Sequence, residues 1–270
     1  MSVSVFLIMF VPLFLRERKG EKLLPWSTGK TSPDAALLAV DSWGKLFKSF
    51  MQVILLPNTL LLTISVFITM AAIHYMVTLL PIFTIQELRW NNIFYAKIFS
   101  TSNLVGGIIG MLIGGLVIKK FGIIRFIQSS LFLTAILAVS LALSTSFWKD
   151  SNFISALIAI YCTLRTVIYI GVLALAMHLC WMRISAIQFT FCMTIFNAGL
   201  SSGAALLGFL RSFLDWQMLF FAFFILIIIS MIILNFIKTN RHREQVDLLE
   251  RDYLEILKAE GNLLVKSEPA

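Results

Sequence analysis

The chain has 270 residues, of which 59% are hydrophobic and only 13% charged. Soluble domains are about a quarter charged, so the composition excludes an ordinary soluble domain and indicates an integral membrane protein. The net charge of +8 then reads as Lys and Arg gathered in cytoplasmic loops, and no nucleic-acid partner is expected.

The apolar runs are long and unbroken, whereas the strands of a membrane barrel alternate polar and apolar over about ten residues. An apolar run of about twenty residues spans a bilayer as a helix. The sequence therefore predicts an all-α integral membrane fold with about seven transmembrane helices, at 2–15, 57–83, 93–118, 123–146, 152–178, 185–210 and 214–237. The first is short or partial. Its charge follows its apolar core, the reverse of a secretory signal, so it reads as a membrane helix entered without its natural beginning.

Residues 16–56 read as a cytoplasmic loop. The first part, RERKGEKLLPWSTGKTSPDA, is polar and turn-rich, a linker. The second, 36–55, reads as an amphipathic helix with Trp43, Leu46, Phe47 and Phe50 on one face. Pro57 opens the next span at a first-turn position, where its missing N–H costs little. Residues 57–237 form a six-helix unit, and 238–270 form a cytoplasmic tail whose 239–260 stretch has helical spacing. Lys and Arg cluster in 16–52, at Lys119, Lys120 and Arg125, at Arg183 and in the tail. This bias places the N-terminus outside and the C-terminus in the cytoplasm of a multi-pass membrane protein.

The 93–118 span carries Gly106, Gly110 and Gly114 at intervals of four, with Gly107 and Gly115 beside them. Such a face lets helix backbones approach closely. It serves either fixed packing or a sliding surface. Gly115, Lys119, Lys120, Gly122 and Arg125 form a tight basic turn.

Arg165 lies near the middle of its span, where a charge costs at least about 2.5–3.5 kcal/mol. Tyr161 and Tyr169 stand one turn away on either side and share its face. No carboxylate falls in the core of a span, since Asp150 and Asp215 sit at the outer rim. Arg165 is read either as half of a buried pair or, in preference, as lining an aqueous substrate pathway with Tyr161 and Tyr169. His74, with Thr78 one turn on, is either a hydrogen-bonded packing residue or a proton-coupling site. In the 185–210 span, Thr190, Thr194, Asn197, Ser201 and Gly208 form one polar, small stripe, with Gln188 near its start. That stripe faces neighbouring helices or water rather than lipid. Gln188, Thr194 and Asn197 join Arg165 as candidate pathway residues. Trp181 and Arg183 suit the membrane interface.

The three cysteines, Cys162, Cys180 and Cys192, lie in or beside apolar runs and show no metal-ligand spacing. No Gly-x-Ser-x-Gly, HExxH or phosphate-loop motif is present. The sequence thus leads to a non-enzyme without cofactor or metal, whose partners are membrane lipid and a small solute.

The turn Gly115-x4-Lys120-x-Gly122-x2-Arg125 resembles the cytoplasmic signature of the major facilitator superfamily, with Lys119 where that family prefers Asp. Ala174-Leu-Ala-Met177, Leu179-Cys-Trp181, Gln188-Phe-Thr190, Asn197-x-Gly199 and Gly203-Ala-Ala resemble its peptide/acetyl-coenzyme-A transporter group. The best-known bacterial branch of that group is the AmpG-type muropeptide permeases. Ile187 and His178 depart from that branch, which has Thr and often an acidic residue there. The resemblance implies spans 6–12 of a major facilitator fold, with 16–52 as the central loop. It also implies a secondary transporter, or a truncated half of one, that moves a muropeptide or similar anionic solute by proton coupling. A missing N-terminal half is an implied partner. A seven-helix receptor fits less well, because the long loop follows the first span and no Lys in the last span offers a retinal link. A non-transporting scaffold or decayed transporter fragment remains the alternative.

Overall fold

A computed structural model of the chain describes residues 43–181, 184–237, 241–242 and 244–251. The expected span at 2–15, the linker, Arg183 and the tail beyond residue 251 lie outside the described residues. The described residues are helical, with no strand among them: α1 (Trp43–Ile54), α2 (Pro57–Gln86), α3 (Asn92–Phe121), α4 (Ile123–Leu143), α5 (Ser151–Leu179), α6 (Ser185–Leu210) and α7 (Trp216–Asn235). Residues 241–242 and 244–251 are also helical.

Five of these helices, α2 and α4 to α7, are long and apolar enough to cross a membrane. α3 makes a sixth if Asn92–Leu112 and Gly114–Phe121, which meet at 43°, form one span. Their outward faces are hydrocarbon: Leu104, Ile108, Met111 and Leu116 on α3, Phe132 and Ile136 on α4, Ile225, Ile229 and Ile232 on α7 are all exposed. Monomeric soluble proteins rarely expose contiguous apolar patches of this extent.

The chain divides into two compact units, Met1–Ser49 and Phe50–Ala270. Of the first, only the opening of α1 is described. There Phe47 is exposed, and the side chains of Trp43 and Leu46, expected on the same face, lie outside the described residues. In the second unit Phe50 stacks edge-on against Phe191 at 5.7 Å.

Local chemistry sets the helix limits. Pro57 sits in the first turn of α2. Asn91 caps α3 by accepting from the Ile93 N–H at 3.0 Å, and Asp150 caps α5 by accepting from Asn152 at 2.9 Å. The α3–α4 break falls on Gly122, whose φ of +85° is rarely adopted by residues with a Cβ. Pro81 lies inside α2 without ending it.

The packing has an internal symmetry. α2 packs on α6 and α7, α5 packs on α3 and α4, and α4 and α7 pack on each other. Exchanging the triplet α2–α3–α4 with α5–α6–α7 returns the same set of pairs. The matching pairs also use matching chemistry. A Cβ on Gly106 would lie 2.9 Å from the Thr163 Cα, and one on Gly110 3.1 Å from Thr166 and Ile170, across the α3–α5 contact. A Cβ on Gly199 would lie 2.6 Å from the Phe67 carbonyl oxygen, and one on Gly203 2.1 Å from that of Ala71, across α6–α2. Each crossing is thus closed by two glycines four residues apart.

Candidate functional site

Arg165 projects from the middle of α5 and is half-buried. Its Nη2 donates to the Asn103 Oδ1 of α3 at 2.5 Å. Its guanidinium carbon lies 5.4 Å from the Phe99 ring centre and 5.8 Å from that of Tyr169, within reach of the ring quadrupoles. Its Nε is buried and has no hydrogen-bond partner. The cation is therefore held in place by a neutral amide and two rings. None of these supplies the negative charge that a cation inside a bilayer seeks.

Tyr169 sits where the sequence places it, beside Arg165, and leans on Phe196 of α6 at 5.4 Å between ring centres. Tyr161 does not line an open face. It is fully buried, and its hydroxyl donates to the Ile73 carbonyl of α2 at 2.7 Å. The physical reason is that α5 crosses α2 at this level, so the face shared by Tyr161 and Arg165 is covered by α2 at Tyr161 and only flanked by Asn103 and Phe99 of α3 at Arg165. Asn103 and Phe99 complete the Arg165 surroundings. A neutral amide on another helix gives no charge pattern to read, so neither stood out in the sequence.

The crossing also fixes His74, the residue after Ile73. It is half-buried on α2, and its Nδ1 is buried without a partner. Thr78 Oγ1 donates to the His74 carbonyl at 2.9 Å.

The polar stripe of α6 is exposed along its length at Thr190, Thr194, Asn197, Ser201 and Gly208. Its hydroxyls are satisfied within the helix: Thr190 donates to the Ala186 carbonyl, Thr194 to Thr190 and Ser201 to Asn197, at 2.8–3.2 Å. Asn197 differs. Its amide nitrogen donates to the Met193 carbonyl at 2.8 Å, but a primary amide offers two donors and two acceptor lone pairs. Leaving the rest in hydrocarbon costs several kcal/mol per unsatisfied group.

Gln188 lies off this exposed stripe, contrary to the pathway expectation. It is buried, accepts from the Trp181 backbone N–H at 2.9 Å and donates to the Leu179 carbonyl at 3.3 Å. Both ends of the amide therefore brace the α5–α6 turn. Trp181 is buried too, with its indole N–H unpartnered, and does not sit as an exposed interfacial ring.

Gly106, Gly110 and Gly114 pack on α5 as expected of a small-residue face. Gly115 does not join them, since a Cβ there would meet nothing within 4 Å. Its place in the helix turns it away from α5. Arg125 is exposed beyond the Gly122 turn.

The tail returns to the same turn that Gln188 braces. His242 is buried, and its Nε2 lies 2.9 Å from the Leu179 carbonyl oxygen. A carbonyl only accepts, so Nε2 carries the proton and Nδ1, buried and unpartnered, does not. Leu179 ends α5, so Gln188 and His242 together satisfy one of the helix's last carbonyls. Burial lowers the His242 pKa from its ordinary 6.5; the Leu179 hydrogen bond pulls it back up, and nearby His178 lowers it further.

The sign of the pH effect follows from that shift. Docking through His242 is at full strength above pH 6.5 and weakens as the pH falls toward the lowered value, because the released imidazole takes up a proton that the docked one refuses. Limited proteolysis of the tail is expected to accelerate as the pH drops through this range, and His242→Gln to remove the pH dependence.

No family model, curated protein or solved structure matches the chain.

Proposed function

We propose that this chain is half of a secondary active transporter of the major facilitator type, carrying a small anionic solute across the inner membrane. The observation that carries the reading is Arg165: a cation in the middle of a spanning helix, positioned by Asn103, Phe99 and Tyr169 and matched by no carboxylate among them. A solute carboxylate or phosphate supplies the missing charge. Three further features support it. With each span crossing opposite to the last, the triplets α2–α3–α4 and α5–α6–α7 form an inverted repeat, the construction common among secondary transporters, which place their sites at the repeat interface near the midplane. Asn197 leaves amide groups on an outward face that lipid does not satisfy. The pairing of Tyr161 with Ile73 brings α5 against α2 beside His74, whose Nδ1 is buried without a partner.

In this reading residues 2–15 add a seventh span, and the seven correspond to spans 6–12. Residues 16–56 form the central cytoplasmic loop, and 238–270 a cytoplasmic tail, with the N-terminus outside. A muropeptide or similar anion is the cargo, moved with a proton through His74, and the missing N-terminal half, spans 1–5, is the partner. The alternative is a non-transporting scaffold or decayed transporter. The self-satisfied hydroxyls of α6 favour it, because they make most of the stripe compatible with lipid or with packing.

Proteoliposomes holding the chain, with and without a co-expressed complementary half, are loaded with an inward proton gradient and offered an acidic muropeptide. Accumulation that an uncoupler abolishes and His74→Ala loses is the expected result. Equal signals from loaded and empty liposomes, with the complementary half present, leave the scaffold.

A further inference from the structure

A second site lies at the α3–α4 turn, away from Arg165. A cavity of about 440 Å3 opens there, lined by Ile118, Phe121, Ile123, Ile124, Arg125 and His178 around Gly122. Its two ionisable walls come from different helices. Arg125 is in the first turn of α4, and His178 in the last turn of α5, and both are exposed. No carboxylate lines it. Lys119 and Lys120 are exposed at the end of α3 beside it, and Lys120 Nζ lies 5.4 Å over the Phe121 ring.

The rest of the wall is hydrocarbon, from Ile118, Phe121, Ile123 and Ile124. A free anion gains nothing from such a wall, whereas a molecule with a charged head and an apolar body uses both parts. The turn joins two membrane-length helices, so it stands where lipid headgroups meet acyl chains. The backbone adds to the attraction. Gly122 gives no side-chain cap, and the first intrahelical bond of α4 runs from Phe126 N–H to the Gly122 carbonyl at 3.1 Å. The N–H groups of residues 123 to 125 are thus left over at the positive end of the helix dipole.

We infer that this cavity binds the phosphate headgroup of an anionic phospholipid, with Arg125 and His178 on the phosphate and the isoleucines and Phe121 along the glycerol and upper acyl chain. Basic pockets between membrane helices hold such headgroups, and the arginine fork suits phosphate geometry. The inference rests on the helices spanning a membrane, and does not depend on transport.

The test uses the full chain in mild detergent, with bound lipid counted by native mass spectrometry. Dioleoylphosphatidylglycerol is compared with dioleoylphosphatidylcholine, and with sodium phosphate as competitor. One phosphatidylglycerol is expected to be retained in preference to phosphatidylcholine. Arg125→Gln combined with His178→Gln should weaken that retention about tenfold, the loss of one or two charge-assisted hydrogen bonds. Arg125→Lys should keep part of it, and Lys149→Gln at the opposite rim should change nothing. Equal retention of the two lipids, or full retention by the double variant, overturns the site. Displacement by millimolar sodium phosphate as complete as by added lipid overturns the lipid assignment and leaves a free-phosphate site.

Discussion

Gly203→Ala is expected to unfold the protein at a markedly lower temperature than the parent, by the largest margin of any single methyl added in the six-helix unit. The Cβ would stand 2.1 Å from the Ala71 carbonyl oxygen and 2.9 Å from the Tyr75 nitrogen. Both obstacles are backbone, so no side chain can swing aside, and α6 must move off α2. Overpacking typically costs 1–3 kcal/mol, and a rigid obstacle places this change at the upper end, about 3 kcal/mol. The damage would not stay local, because the α2–α6 crossing also carries Gly199 against Phe67 and Met70. The control is Gly208→Ala on the same helix, where a Cβ meets nothing within 4 Å. There alanine should be neutral or raise the midpoint, since glycine inside a helix costs roughly 0.5–1 kcal/mol relative to alanine. Thermal midpoints of the purified variants in one detergent decide it. Equal midpoints for Gly203→Ala and Gly208→Ala would refute the close crossing.

Arg165→Ala is expected to abolish solute uptake while the protein still inserts and folds. The side chain makes one hydrogen bond, to Asn103, and two ring contacts. Its removal leaves Asn103 short of one partner, at a cost of about 1–3 kcal/mol, which a multi-span bundle survives. What it removes from the solute is the only cation placed at mid-span among the described helices. Arg165→Lys separates charge from shape. Lysine keeps the positive charge but loses the planar fork that Asn103 and the two rings position, so uptake should fall by an intermediate amount. Asn103→Leu should loosen the guanidinium, raising the solute concentration needed for half-maximal uptake more than it lowers the maximal rate. Wild-type uptake by Arg165→Ala would remove Arg165 from the solute path.

The helices were legible because membrane insertion imposes a length and a composition together. The six spans read from 57 to 237 lie within a few residues of the observed helices, and Pro57, Asn91, Asp150 and Gly122 mark limits by local chemistry. The outward stripe of α6 was legible for a similar reason: a period of 3.6 fixes which residues share a face. What a period does not give is the neighbour that covers that face at each depth. Tyr161 and Arg165 are one turn apart, yet α2 lies over the first and not the second. Gln188 begins a polar stripe in sequence but folds back on the turn before it. The Gly199-x3-Gly203 spacing, by contrast, was as readable as Gly106-x3-Gly110 and marks the symmetry-related crossing. His242 was hidden by the charged residues around it, which read as a solvated tail.

The claim that ties these features together is that the outward face of α6 borders water and not lipid. The most direct test places single cysteines at Thr194, at Asn197 and, on the apolar face of α7, at Ile225. A membrane-impermeant maleimide is then applied to open membrane fragments. The native thiols make a quiet background: Cys162 and Cys192 are buried, and burial pushes the Cys180 thiol up to about 12. The expected result is fast labelling at 194 and 197, slowed by the solute, with no labelling at 225. Labelling at 194 and 197 as slow as at 225 would place the stripe in lipid or against a packed helix, and would contradict a water-filled path.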